Sequence, residues 1–160
     1  MTGKVFSINI SDRKGEPKHM VTGAMLRAGH GIEDDVHAGP GRRQVSLLGI
    51  ETIEEAERKS RSSGVDFRPG IFAENITTED IDLSRVRVGD TIRIGATAEL
   101  RVAQIGKECH DGCAIMKKTG ACVMPLKGVF AVVLSDGPVR VRDRIEIQRQ
   151  GWGLLSWLKR

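Results

Sequence analysis

Nineteen glycines break this chain into short apolar runs. That punctuation constrains the fold more than any single motif, because it is the spacing of a β-rich protein. KVFSINIS (4–11) alternates, with Val5, Ser7 and Asn9 on one side and Phe6, Ile8 and Ile10 on the other, and reads as a first strand. AMLRAGHGI (24–32) and RQVSLL (43–48) follow as strand candidates, the first the weaker. IETIEEAERKSRSSG (50–64) differs: Ile50, Ile53, Ala56 and Glu57 keep helical spacing among charged residues, and Gly64 supplies a stop. Strands are expected again at 72–77, 91–94, 98–106, 128–137 and 143–150, with a short helix or loop around 110–119. Seven or eight strands with one or two helices predict a mainly β, β-rich α+β fold: a closed β-barrel with a few flanking helices, spanning 1–150. The Trp- and Leu-rich tail GWGLLSWLKR (151–160) is expected to pack back onto the barrel, with a dimer contact or partner docking as the alternative.

A length of 160 residues suffices for one core without disulfides. The first residues lack a secretory pattern, and no apolar run reaches the length of a membrane span, so the expectation is a soluble cytoplasmic protein. In that compartment thiols stay reduced. Three cysteines in one cluster, Cys109, Cys113 and Cys122, then point toward metal or thiol chemistry rather than a structural bridge. The net charge of +4 is mild, and four Phe, two Trp and no Tyr argue against a nucleic-acid binder of the stacking type. A small anion such as phosphate suits this balance.

Two segments carry unusual side chains. In GIEDDVHAGPGRRQVSLLGIE (31–51), Asp35 and His37 are two apart and would share a face of an extended chain, a pair able to orient an imidazole for proton transfer or ligation. The turn Gly39-Pro40-Gly41 then leads into Arg42 and Arg43, a guanidinium placed for phosphate or carboxylate. A solvated turn with a surface Asp–His pair explains the same residues. In RPGIFAENIT (68–77), Glu74 and Asn75 sit in a strand-like run that both disfavour. Such residues either meet a ligand or, in the case of Asn75, bond a neighbouring loop.

The cysteine stretch KECHDGCAIMKKTGACVMP (107–125) has poor spacing for zinc, since Cys109 and Cys113 are four apart, Cys122 is alone and His110 points away from Cys109. A Cys109–Cys113 disulfide fits a helical turn but not a reducing compartment. Lys107, Lys117 and Lys118 make a cationic setting in which one cysteine can act as a thiolate. Cys113 and Cys122, among Ala, Ile and Val, read as small core residues.

The motifs taken together, GIEDDVHAG with RQVSLL, then PGIFAENIT with VGDTIRIG, then LRVAQIGKECH through CVMP to GVFAVV, closely resemble the MOSC domain, the C-terminal module of molybdenum-cofactor sulfurases. The small standalone bacterial members are the most similar kind, and the resemblance runs from about residue 4 to 148. It implies a β-barrel of short strands, and a pterin cofactor carrying molybdenum (molybdopterin) as ligand. It also implies one cysteine, at Cys109 here, that ligates molybdenum or carries sulfur. The family segments near the pterin and phosphate correspond to Asp35, His37, Arg43, Gln44, Ser46, Glu74 and Asn75. Where relatives have Gly-Asp before the variable residue and His, this chain has Asp34-Asp35, which would restrict the backbone or add negative charge near an anionic ligand.

The function this implies is molybdenum-cofactor binding in a sulfur-carrier or cofactor-delivery role. Cys109 is the thiolate, Arg43 with Lys107 or Lys127 meets the phosphate, and Asn75 with Glu74 fixes the pterin. Partners would be proteins that make the cofactor or molybdoenzymes that use it, and not nucleic acid. One alternative is a small molybdenum oxidoreductase that reduces N-hydroxylated compounds. Another, of a different class, is a zinc-stabilised interaction module built on the cysteine cluster and the tail.

Overall fold

A computed structural model describes residues 1–61, 64–109, 113–120 and 122–151. In chain order the elements are β1 (Thr2–Ile10), β2 (His19–Val21), β3 (Gly23–Arg27), β4 (Gly31–Ile32), β5 (Val45–Gly49) and α1 (Ile50–Lys59). After them come β6 (Ile76–Glu79), a 3-10 turn (Leu83–Arg85), β7 (Thr91–Ile94), β8 (Ala98–Ile105), α2 (Ala114–Thr119), α3 (Met124–Lys127), β9 (Val129–Ser135), β10 (Gly137–Arg140) and β11 (Arg144–Gln148). Seven strands, in the order β11-β7-β8-β9-β5-β6-β1, close into a barrel through the β1–β11 pairing. Strand β2 adds to β1 outside the ring, and β10-β3-β4 form a separate sheet. The expected fold, a closed barrel with few helices, is what the chain adopts. No helix among the described residues is long and apolar enough to cross a membrane.

Side-chain alternation fills the barrel. Val45 and Leu47 of β5, Ile92 and Ile94 of β7, Leu100 and Val102 of β8 and Ile145 and Ile147 of β11 meet in one apolar cluster. The simple alternation read for 4–11 does not hold. The β1–β6 register shifts between Val5 and Ser7, so Val5 and Ile8 both reach the core while Phe6 is left on the surface. Ser7 and Asn9 are also buried, but by cover outside the barrel.

Strand β5 is buried along its whole length because it has two cores to serve. Val45 and Leu47 face the barrel interior, while Leu48 faces outward into a second cluster with Ile53, Ile71, Phe72, Ile115, Met124 and Phe130. Strands β5 and β6 run parallel, so the chain must cross back between them, and α1 lies on that crossover. Helix α1 buries Ile53 and stops at Lys59, not at Gly64 as the spacing predicted. Ser60 turns extended, and its hydroxyl reaches the Thr119 carbonyl at 3.4 Å.

Two more expectations are corrected. The run 24–32 is not one strand but β3 and β4 around a turn, with Gly29 at φ +68°. Residues 72–75 are not strand: β6 begins at Ile76, and Ala73 has φ +61°. The tail, from residue 152 on, and His110 lie outside the described residues.

Candidate functional site

The turn before β6 is built around one carboxylate. Glu74 is fully buried; Oε1 accepts the Gly70 N–H at 2.5 Å and the Thr77 hydroxyl at 2.9 Å, and Oε2 accepts the Phe72 N–H at 3.2 Å. Burial pushes its carboxyl above the ordinary range, against the pull of those donors. Gly70 has φ +88°, and any Cβ there would run into the Lys18 carbonyl oxygen, so only glycine fits. These contacts turn Phe72 and Ala73 toward the outer wall of the barrel.

Asn75, next in sequence, ties three segments together. Its Oδ1 accepts from the Ser46 N–H at 3.0 Å and the Ser46 hydroxyl at 3.2 Å, while Nδ2 donates to the Asn9 carbonyl at 3.3 Å and to Asp35 Oδ2 at 3.0 Å. Gln44 does similar work just before β5 begins: Oε1 accepts the Val133 N–H at 2.9 Å and Nε2 donates to the Gly41 carbonyl at 3.2 Å.

Sequence reasoning missed the ion that organises the next layer. Lys18 is buried, and its ammonium reaches Asp35 Oδ1 at 2.6 Å, Ser11 Oγ at 3.3 Å and His37 Nδ1 at 2.9 Å. Burial pulls Lys18 below the usual lysine value, with Asp35 opposing. Burial would raise Asp35, but bonds from Lys18, Asn75 and the Ser11 N–H outweigh it and hold the carboxyl low. Asp35 and His37 come together, but only loosely, with His37 Nδ1 3.9 Å from Asp35 Oδ2, because a turn and not an extended strand carries them. Asp34 at φ +69° curls the segment into a turn, Asp35 Oδ2 takes the His37 backbone N–H at 3.2 Å, and Lys18 takes the ring. Burial and then Lys18 lower His37 to about 4.

In front of this layer lies a cleft of about 330 Å³ on the outside of the barrel, lined by His37, Ser46, Ala73 and Asn75, by Phe72, Met124 and Phe130, and by Lys14, Arg43 and Lys107. That volume is at the small end for cofactor sites. The Arg43 guanidinium lies 6.0 Å over the Phe130 ring. Lys107 is positioned by its N–H on the Pro125 carbonyl at 3.1 Å, and Cys109 follows two residues later with an exposed thiol. Of the residues expected to bind, His37, Arg43, Ser46, Asn75 and Lys107 line this cleft, whereas Asp35, Gln44 and Glu74 stand behind it and support its walls. Lys127 is elsewhere: it lines a second cleft of about 580 Å³ and pairs with Glu55 at 3.1 Å.

Cys113 caps α2 by accepting the Met116 N–H at 3.4 Å, and Cys113 and Cys122 pack against the second apolar cluster. Burial pushes the Cys122 thiol up, and Cys109 and Cys113 lie close enough to add to it. Among the described residues no three His, Cys, Asp or Glu side chains are grouped to hold a metal ion.

The barrel recurs in solved structures. The YuaD protein from Bacillus subtilis superposes with a TM-score of 0.76 at 20% identity, over 94% of this chain and 98% of that one. YiiM from Escherichia coli gives 0.70 at 19% identity, over 94% and 71%. YiiM from Geobacillus stearothermophilus gives 0.70 at 20%, over 94% and 77%. No curated protein matches the chain. The family profile of the MOSC domain matches residues 33–146, a span that includes every cleft residue except Lys14. The chain thus belongs to the MOSC domain family, a family associated with the molybdenum cofactor.

Proposed function

We propose that the chain binds the molybdenum cofactor in the cleft beside Asn75 and uses Cys109 as its working thiol, in a sulfur-carrier or cofactor-delivery role. The observation that carries this reading is the convergence of Lys14, Arg43 and Lys107 on one cleft, with the exposed Cys109 thiol two residues beyond Lys107. The residues present fit such a group. Three cations suit its phosphate, the apolar faces of Phe72, Met124 and Phe130 suit a flat heterocycle, and a thiolate is a soft ligand for molybdenum. When bound, the cofactor supplies a molybdenum centre open to a sulfur ligand.

Arg43 presents its planar fork from the Phe130 ring, so that little side-chain freedom is lost when it meets a phosphate. Lys14 and Lys107 add point charges. The buried bonds of Asn75, Glu74 and Gln44 hold the walls in place before any ligand arrives. Cys109 either ligates the metal or holds one sulfur atom as a persulfide.

The test is to produce the full chain in a host that makes the cofactor, then measure metal content, pterin fluorescence and intact mass. The expected result is molybdenum and pterin in equal amounts, with molybdenum lost from Cys109→Ser. Stoichiometric zinc without pterin overturns the reading. Loss in Cys113→Ser or Cys122→Ser, with retention in Cys109→Ser, overturns the choice of thiol.

A further inference from the structure

Lys18 has three partners for its three protons, and this fixes more than the position of a loop. Asp35 Oδ1 at 2.6 Å accepts one. Ser11 Oγ at 3.3 Å accepts the second, because its own proton is directed to the Arg13 carbonyl at 3.3 Å. The third points at His37 Nδ1, 2.9 Å away. An ammonium satisfies all three at once, and His37 Nδ1 must then be the acceptor. The other inventory, a neutral amine receiving a proton from Nδ1, would place an uncharged nitrogen against Asp35. Asp35 already receives the Ser11 N–H, the His37 N–H and the Asn75 amide, all of which favour the carboxylate. A carboxylate at 2.6 Å keeps its partner protonated.

We propose that Lys18 is the positioning residue that fixes His37 as a neutral imidazole with its proton on Nε2, the ring nitrogen away from Lys18, so that His37 offers the cleft an uncharged hydrogen-bond donor. His37 lines the cleft, and its side chain is 34% exposed while that of Lys18 is 1% exposed, so the free edge of the ring is the cleft edge. The groups facing the ring are Lys18, Asp35, Lys14 and Lys107; three are cations, and they oppose a second proton on it. The role is therefore to orient an acceptor oxygen of an anionic ligand. Affinity comes from the cations, and the donor stays constant across the range in which an ordinary histidine would titrate. The ligand half of this inference rests on the cofactor reading above; the proton assignment does not.

The test uses the cofactor-free full chain labelled with 15N. Two-bond proton–nitrogen correlation spectra report the tautomer of each imidazole, and the His37 signals are identified by their absence in His37→Gln. Expected at neutral pH is a protonated Nε2 with a bare Nδ1, unchanged down to about pH 5. A proton on Nδ1, or a His37 that titrates above pH 5 to 6 as free histidine does, overturns the proposal in the wild-type spectrum alone. In Lys18→Met, Nδ1 loses its donor and faces Asp35 Oδ2, 3.9 Å away, so the proton is expected to move to Nδ1 and the ring to titrate at higher pH. A folded Lys18→Met whose His37 keeps the Nε2–H form and its titration would overturn the assignment to Lys18. Because these spectra need no cofactor, their failure is separate from a failure to find molybdenum and pterin.

Discussion

Replacing Glu74 by glutamine changes one oxygen to nitrogen, and the structure dictates the cost. The carboxyl takes three donors on two oxygens: Gly70 N–H and Thr77 hydroxyl on Oε1, Phe72 N–H on Oε2. Glutamine retains most by placing its carbonyl at Oε1. Its amide nitrogen then faces the Phe72 N–H, donor against donor, in a site with no access to water. A buried donor left without a partner costs about 1–3 kcal/mol. For a chain of this length that lowers the thermal midpoint by roughly 2–4 °C per kcal/mol. The pH dependence supplies a second check. The folded-state value of Glu74 is raised above 4.5, so its contribution is fully present below pH 4.5 and is lost as pH rises through the folded value. A protonated carboxyl still accepts at both oxygens, which an amide nitrogen cannot, so the deficit of Glu74→Gln persists at pH 4.5 and shrinks as pH rises, because only the wild type loses stability by ionising. Urea unfolding of both proteins across that range measures it. A variant as stable as the wild type at pH 4.5, or a deficit that grows with pH, would refute this account of the turn.

Asn75→Ala strands the Ser46 N–H and removes a donor from Asp35, and a loss of about 2–4 kcal/mol is expected by urea unfolding. Gly70→Ala forces alanine into φ +88° at a strain of about 1–2 kcal/mol and against the Lys18 carbonyl, so its thermal midpoint falls further than that strain alone requires. Asp34→Gly releases a left-handed residue in an exposed turn, and a gain of up to about 1 kcal/mol is expected once the entropy of glycine is set against the relief. Arg43→Ala should weaken cofactor retention roughly ten- to a hundredfold, the value of one charge-assisted pair, and flatten its salt dependence, whereas Lys127→Ala on the other cleft should leave the pterin content of the purified protein unchanged.

The barrel was legible because its strands carry inward apolar residues that survive in any local reading: 91–94 is β7 itself, and 98–106 and 128–137 miss β8 and β9 by a residue or two at the ends. The failures are local conformations that side-chain type does not announce. Nothing marks Ala73 as left-handed, so an apolar run through 72–77 reads as strand when it is a turn followed by β6. Strand β10 contains Pro138, which is tolerated because β10 is an edge of its small sheet, a fact only the topology reveals. Asp34, by contrast, could be suspected of backbone restriction from glycine's place in the family pattern, and its φ of +69° shows the strain glycine would avoid. Lys18 was invisible for a different reason. A lysine beside Pro17 in a polar stretch looks solvated, and only the fold brings Asp35 and His37, seventeen and nineteen residues on, around it.

The polar residues grouped around the cofactor by resemblance separate, in the structure, into two kinds. Asp35, Gln44 and Glu74 behind the cleft, and Asn75 in its wall, use their hydrogen bonds on backbone and on other buried side chains, and removing any of them is expected to unsettle the walls of the cleft. Arg43 and Lys107, with Lys14, make no ion pair among the described residues and line the cleft directly. Cofactor loss therefore means different things in the two sets. In the first it must come with a lowered unfolding midpoint, since the ligand is lost with the wall. In the second it must come with little or no such loss, since a surface cation outside an ion pair contributes little to folding, and the stacking of Arg43 on Phe130 adds at most about 1 kcal/mol at an exposed site. Measuring retention and stability on the same variants separates the scaffold of the cleft from the groups proposed to touch a ligand in it.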